Sequence, residues 1–325
     1  MRGTVVGVLR GGPSSEHEVS LKSGHAVIMN LPSDQYTVRD IYIDRAGVWH
    51  ERGREVSPAT VLPSIDVALI ALHGVYGEDG EVQKLLERFG VPYTGSESFA
   101  SFQAMHKVLA KEKARETGLL VPRYRFVENP ADSQAVIEDV IRTFHQPVVV
   151  KPIDGGSSVG VTFSAGFHPV HQAVTGLFQD GAKGVLIEEL VRGTEATVGV
   201  VENLRDEPLY TLPAVEIIPP DHAEFFDYDV KYDGSTKEIC PGNFKKSVAD
   251  ELAHAAKRMH EALGLRHYSR SDFIVSPKGI YYLETNTLPG LTEESLLPKS
   301  LAAIGMSHSD FLSHIIALAI GSRKR

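Results

Sequence analysis

Apolar and polar positions change their period several times along the chain. Thr4-Val-Val-Gly-Val-Leu9 is a short β-branched run that stops at Gly11-Gly12, and Glu16 to Met29 then predicts a helix. The order returns at Val67 to Leu72, an apolar run halted by His73-Gly74, with a second helix expected over Gly80 to Phe89. Repeated strand-loop-helix units build a parallel sheet, here up to about residue 100. Function in such sheets gathers at the carboxyl ends of strands, where Glu16 and His73 fall.

A helix is predicted over Phe99 to Thr117, followed by Leu120 to Val127 and the run Val148-Val-Val-Lys151; these give a smaller α+β lobe. A helix over Ser247 to Leu263, a hairpin, and a closing helix over Ser307 to Ile320 occupy the remainder. Pro219-Pro220 to Pro241 is too irregular for a core element and too aromatic for a linker, so it reads as a lid. Three lobes are expected: residues 1–100, 101–185 and 186–325, of α/β and α+β character.

Composition narrows the function classes. A chain of 325 residues with 42% apolar content has material for real cores, and no repeat or low-complexity segment interrupts it. A net charge of −9 and a pI near 5.9 argue against general nucleic-acid or membrane-surface binding, which relies on clustered Lys and Arg. The one cysteine, Cys240, excludes an internal disulfide and reads as packing. Met1-Arg-Gly-Thr-Val-Val enters a strand without a signal-like apolar region, and no run of about 18 apolar residues follows, so the cytoplasm is the expected compartment.

The richest chemistry lies in Asp272-Phe-Ile-Val-Ser-Pro-Lys-Gly-Ile-Tyr-Tyr-Leu-Glu284-Thr-Asn286. A hairpin closed at Ser276 to Gly279 brings Asp272 back beside Glu284, and residues two apart share a face, so Asp272, Glu284 and Asn286 can converge. Two carboxylates and an amide suit a hard cation that shares its shell with substrate phosphates. A surface hairpin with solvated acids would carry the same residues. Upstream, Lys151-Pro-Ile-Asp-Gly155-Gly-Ser-Ser-Val-Gly160 couples a lysine to a loop able to expose backbone N–H groups to phosphate, or to serve only as a turn. It is not a Walker loop, because the lysine precedes the glycines.

Eight blocks in order complete the picture: Gly11 to Ser20, Leu72 to Gly80, Pro92 to Ser96, Lys151 to Gly160, Val185 to Glu189, Phe225 to Tyr232, Tyr268 to Asp272, and Glu284 to Leu296. Together they resemble the ATP-grasp superfamily and, within it, the D-alanine:D-alanine ligase family, over almost the whole chain. The resemblance implies a three-lobed ATP-grasp fold with an N-terminal parallel-sheet domain. It also implies ATP-dependent joining of two D-alanines through an acyl phosphate for peptidoglycan synthesis, two Mg²⁺ or Mn²⁺ ions, and a homodimer.

Residue roles carried by the resemblance follow the matching positions. Lys107, Lys151 and Ser158 would meet the phosphates; Glu188, Glu189 and Val191 would form the adenine hinge through main-chain groups, Glu195 would take the ribose, and Phe225 and Leu283 would enclose the base. Asp272, Glu284 and Asn286 would hold metal. Glu16 would bind the first ammonium, His73 would lie on the substrate side, and Ser157 with Tyr232 would tie the lid to Glu16. Arg270 and the Gly290 N–H would stabilise the oxyanion, while Lys231, Ser295 and the Leu296 N–H would receive the second substrate. Residue by residue, simpler readings exist: a solvated Lys107, core Phe225 and Leu283, and Arg270 as a mere ion-pair partner of Asp272. Glu78 and Asp79 read as acids at a helix N-terminus. The chain departs from the family at His106, where Asp usually precedes the lysine.

Three rivals remain at this level. D-alanine:D-lactate and D-alanine:D-serine ligases share the scaffold, but depsipeptide formers resemble one another in a lid histidine where this chain has Lys231-Tyr232. An inactive nucleotide-binding protein would be expected to lose its costly charges, and a small-molecule kinase would not need the Ser295-Leu296 pocket.

Overall fold

The computed structural model describes residues 3–156, 159–219 and 236–322. The first sheet contains β1 (Thr4–Gly11), β2 (Tyr36–Ile43), β3 (Trp49–Glu51), β4 (Arg54–Glu55) and β5 (Val67–Ile70), in the order β4-β3-β2-β1-β5. β1 runs parallel to both β2 and β5. Val6, Val8 and Leu9 of β1 and every residue of β5 are buried, the continuous apolar pattern of parallel strands covered on both faces. Helix His17–Asn30 follows β1, and helix Glu81–Arg88 follows β5, each within two residues of the expected bounds.

A second, antiparallel sheet contains β6 (Tyr124–Val127), β7 (Val148–Pro152), β8 (Thr162–Ser164) and β9 (Val185–Glu189), ordered β6-β9-β7-β8. Helices Ser133–Thr143 and Phe167–Gln179 cover it through Ile137, Val140, Val170 and Val174. The third sheet holds β10 (Thr194–Leu204), β11 (Glu207–Thr211), β12 (Val215–Ile218), β13 (Lys237–Ile239), β14 (Tyr268–Ser276) and β15 (Gly279–Asn286). Its path is β13-β12-β10-β14-β15, with β11 also on β10. Leu252, Ala255, Ala256 and Met259 of helix Lys246–Ala262 pack on this sheet. So do Ala100, Ala104, Ala110 and Ala114, small residues on the helices that precede the second sheet. Near the C-terminus, helices Leu296–Ala303 and His308–Ser322 return to the first sheet, burying Leu297, Leu301, Phe311 and Ile315.

The helix expected over Phe99 to Thr117 is two helices, Ser98–Met105 and Lys107–Glu116. The break is His106, whose backbone is extended at φ −77° and ψ 97°. Its Nδ1 accepts the Leu109 N–H at 3.3 Å, so His106 caps the second helix as an Asp would. Burial lowers the His106 pKa from its ordinary 6.5, which favours the neutral, accepting ring. Because the folded-state pKa is depressed, the cap contributes fully above the unfolded value and fades as pH falls below it. Replacing His106 with Ala should therefore cost about 1 kcal/mol in urea unfolding at pH 7.5, and His106→Asp should cost much less. Among the described residues, no single helix is long and apolar enough to cross a membrane.

Candidate active site

The hairpin of β14 and β15 closes with Ser276 paired to Gly279, and regular pairing continues to Phe273 opposite Tyr282. Unbroken register would place Asp272 opposite Leu283, turning Glu284 to the other face. A bulge between Asp272 and Phe273 shifts the pairing by one. Asp272 thereby faces Glu284, Arg270 faces Asn286, and all four side chains share one side of the sheet. Arg270 grips Asp272 with two hydrogen bonds of 3.0 Å, and Asn286 Nδ2 donates to Asp272 Oδ2 at 3.1 Å. Thr197 of β10 donates to the other oxygen of Asp272.

Cations approach this hairpin from two directions. Lys107, the first residue of its helix, reaches Glu284 at 3.3 Å and donates to the Gly155 carbonyl at 2.8 Å. Lys151 at the end of β7 pairs with Glu188 of β9 at 2.9 Å. The second oxygen of Glu188 meets Lys111 at 2.9 Å, and Lys111 also donates to the Leu283 carbonyl at 3.2 Å. Burial pulls the Lys111 ammonium down to about 8 against the pull of Glu188. Burial would raise Glu188, but its two lysines outweigh that and hold its carboxyl below the usual range.

The hairpin and these strands line an open-sided cleft with about 180 Å³ of accessible space. Lys107, Lys151, Arg270, Asp272 and Glu284 lie at its polar end. Val149, Val161, Phe163 and Leu283 give it apolar walls, and Glu188, Glu189, Val191 and Glu195 line the hinge side. Glu189 is further tied to the chain by accepting the Arg123 N–H at 3.0 Å. Leu296 also faces the cleft.

Glu16 lies at the start of its helix and between two glycines. A Cβ on Gly74 would come within 2.8 Å of its Oε2, and one on Gly156 within 2.9 Å, so both glycines make room for this carboxylate. The loop Thr287–Leu291 is held from the first sheet's side. Glu78 accepts the N–H groups of Gly74, Thr287 and Leu288, each at 3.1 Å. His73 Nδ1 donates to the Leu288 carbonyl at 2.9 Å, which leaves Nε2 to accept from Ser23 at 2.7 Å. Ser23 in turn accepts the Leu291 N–H at 3.3 Å. His73 is buried with both ring nitrogens engaged, and burial lowers its pKa, in keeping with a neutral ring.

Glu78 differs from the expected helix-end acid. Asp79 takes that task, accepting the Glu81 N–H at 3.0 Å, while Glu78 reaches across to the C-terminal loop. Burial and then Glu16 push its carboxyl up to about 7, against the backbone donors that favour the charged form. Glu78→Ala would leave buried N–H groups at Thr287 and Leu288 without an acceptor. We expect a loss of about 2 kcal/mol in stability together with at least a tenfold fall in turnover. Urea unfolding beside steady-state rates checks both.

Gly290 and Ser295 are neighbours: a Cβ on Gly290 would meet Ser295 Oγ at 2.6 Å. Ser295 Oγ also contacts Thr292 Oγ1 at 2.8 Å and accepts the Thr292 N–H at 3.2 Å, in the turn before helix Leu296–Ala303. The expected contributions of Ser157, Ser158, Phe225, Lys231 and Tyr232, and most of the lid, lie outside the described residues. Lys111, Ser23, Thr197 and the clamping role of Glu78 had no motif to mark them. Their signal is burial of polar groups, which only the fold supplies.

The cleft's charges define its chemistry. At the hairpin end Asp272 and Glu284 are balanced by Arg270 and Lys107, so a divalent cation bound there would add local positive charge that a phosphate chain could offset. Asp272, Glu284 and Asn286 offer oxygen donors, a set suited to a hard cation, and Asn286 turns its Nδ2 to Asp272. A phosphate chain along Lys107 and Lys151 and a carboxylate near Arg270 would satisfy the cleft electrostatically.

Comparisons with known proteins agree with this geometry. The family model described as D-ala D-ala ligase C-terminus matches residues 114–317, and that described as D-ala D-ala ligase N-terminus matches 5–61 and 50–96. A D-alanine--D-alanine ligase from Syntrophobacter fumaroxidans is 41% identical over 319 residues, covering 97% of each chain. The solved D-alanine--D-alanine ligase of Bacillus anthracis complexed with ATP has a TM-score of 0.81 at 31% identity and 99% coverage of both chains. A D-Ala:D-Ser ligase from Enterococcus faecalis superposes with a TM-score of 0.86 at 28% identity, covering 98% of this chain and 100% of its own. The three-sheet architecture is thus the ATP-grasp fold of these ligases, and the chain belongs to the D-alanine--D-alanine ligase family.

Proposed function

We propose that this chain uses ATP to join two D-alanines into D-alanyl-D-alanine for peptidoglycan synthesis, releasing ADP and phosphate. The observation that carries the reading is the meeting of Lys107, Lys151 and Arg270 with Asp272 and Glu284 in one cleft, with Glu16 beside the glycine loop that follows Lys151. The carboxylate of the first D-alanine attacks the γ-phosphorus, the bond to ADP breaks, and an acyl phosphate forms. The free amine of the second D-alanine then attacks the acyl carbon, and the carbon-oxygen bond to phosphate breaks.

Each residue has a place in that sequence. Lys107, Lys151 and Ser158 hold the phosphates; the main chain of Glu188 to Val191, with Glu195, Phe225 and Leu283, holds the nucleoside, which leaves the Glu188 side chain to its two lysines. Glu16 fixes the first ammonium, and His73 serves the substrate end by fixing Leu288. Arg270 and the Gly290 N–H stabilise the tetrahedral oxyanion. Ser295, the Leu296 N–H and Lys231 receive the second carboxylate, and Ser157 with Tyr232 closes the lid against water. Two Mg²⁺ or Mn²⁺ ions on Asp272, Glu284 and Asn286 would neutralise the phosphates when bound. The three lobes at 1–100, 101–185 and 186–325, a homodimeric assembly and a cytoplasmic location complete the reading.

The likeness to a D-Ala:D-Ser ligase makes the second substrate the point to test. With ATP, Mg²⁺ and equal D-alanine, D-serine and D-lactate, D-alanyl-D-alanine should dominate from pH 6 to 8.5. Its rate should rise across that range, because the attacking group is the free amine of D-alanine, whose ammonium loses its proton above the range of a chain terminus, so the reactive fraction keeps growing with pH. A dominant mixed product, read by mass, would reassign the second-substrate pocket.

A further inference from the structure

Lys111 is wholly buried and absent from the cleft lining, yet it closes a charge relay that ends there. One oxygen of Glu188 takes Lys111 and the other takes Lys151, each at 2.9 Å. The hairpin bulge skips Leu283 in the strand pairing, and the Leu283 carbonyl accepts from Lys111 at 3.2 Å. The three charged groups sum to a single positive charge, and Lys151 is the lysine of the three that faces the cleft. Without Lys111 the remaining Glu188 and Lys151 would form a neutral pair, and the phosphate site would lose its surplus.

We propose that Lys111 is a positioning residue for ATP: by cancelling Glu188 it keeps Lys151 available to phosphate. This rests on the proposed phosphate role of Lys151. A phosphate-free nucleoside should be blind to the surplus charge, whereas a structural tie through Leu283 would affect ATP and adenosine alike. Removing Glu188 as well restores a site charge of plus one, so the two losses should not add.

The test is the affinity of ATP, with Mg²⁺, beside that of adenosine as a competitor, in the native chain, Lys111→Met, Lys111→Met/Glu188→Gln and Lys151→Met. Lys111→Met should weaken ATP about tenfold and move adenosine less than twofold. The double variant should bring ATP back within threefold of native. Parallel weakening of ATP and adenosine, or a double variant weaker for ATP than Lys111→Met, would overturn the proposal. If Lys151→Met leaves ATP affinity unchanged, the phosphate reading of Lys151 fails first. If Lys151→Met weakens ATP but Lys111→Met does not, only the role of Lys111 fails. Should Lys111→Met not fold, the double variant decides, because it removes the buried charges together. ATP affinity within threefold supports the relay, and a larger loss rejects it.

Discussion

Glu284→Gln should lower kcat by a hundredfold or more while the protein unfolds within about 1 kcal/mol of the native chain. The substitution keeps the side chain's shape and its place opposite Asp272 on the bulged hairpin, but removes the charge that Lys107 meets at 3.3 Å. The proposed metal site would lose half its carboxylate charge, and Lys107 would be left without this acid. Adenosine binding should change little, because the apolar walls at Val149, Phe163 and Leu283 are untouched. A variant retaining most of its rate at limiting Mg²⁺ would remove the hairpin from the proposed catalytic role.

Arg270→Met should do more, because Arg270 serves both fold and proposed chemistry. Its guanidinium holds both oxygens of Asp272 at 3.0 Å, on the strand between β10 and β15, with Asn286 its partner across the hairpin. Removing one partner of a fully buried pair costs about 3 to 5 kcal/mol; here the two side chains keep 13% and 22% of their surface exposed, so the loss should fall below that range. Loss of the proposed oxyanion donor should lower kcat by a further factor of about 100 to 1000, measured at a temperature where the variant is folded. Arg270→Lys keeps a charge but not the planar fork, so it should recover stability better than rate. Equal recovery of both would assign Arg270 a purely structural task.

The legible parts of the chain are those where one physical demand fills a continuous stretch of sequence. β1 and β5 are buried on both faces and read as unbroken apolar runs. The helices at His17–Asn30, Lys246–Ala262 and His308–Ser322 lie within about two residues of their expected bounds. β2 and β11 are largely half-exposed and carry little period, so their pairing emerges only in the fold. The break at His106 was hidden because the residues on either side are both helical.

The same contrast holds in the site. Asp272, Glu284 and Asn286 can be named from a turn and two strands, but the one-residue bulge that brings them to one face leaves no compositional trace. Glu78 and Asp79 are adjacent acids with different tasks, separated only by the distant Thr287–Leu288 backbone that one of them reaches. Lys111 looks like any helix lysine until burial places it against Glu188 and Leu283.

The most direct measurement follows an oxygen atom. The chain should be incubated with ATP, Mg²⁺ and D-alanine carrying ¹⁸O in its carboxylate, and the products weighed. Acyl-phosphate chemistry predicts D-alanyl-D-alanine with one phosphate per peptide bond, that phosphate carrying one ¹⁸O from the first D-alanine. Phosphate without the label, or ATP cleavage without dipeptide, would contradict the account.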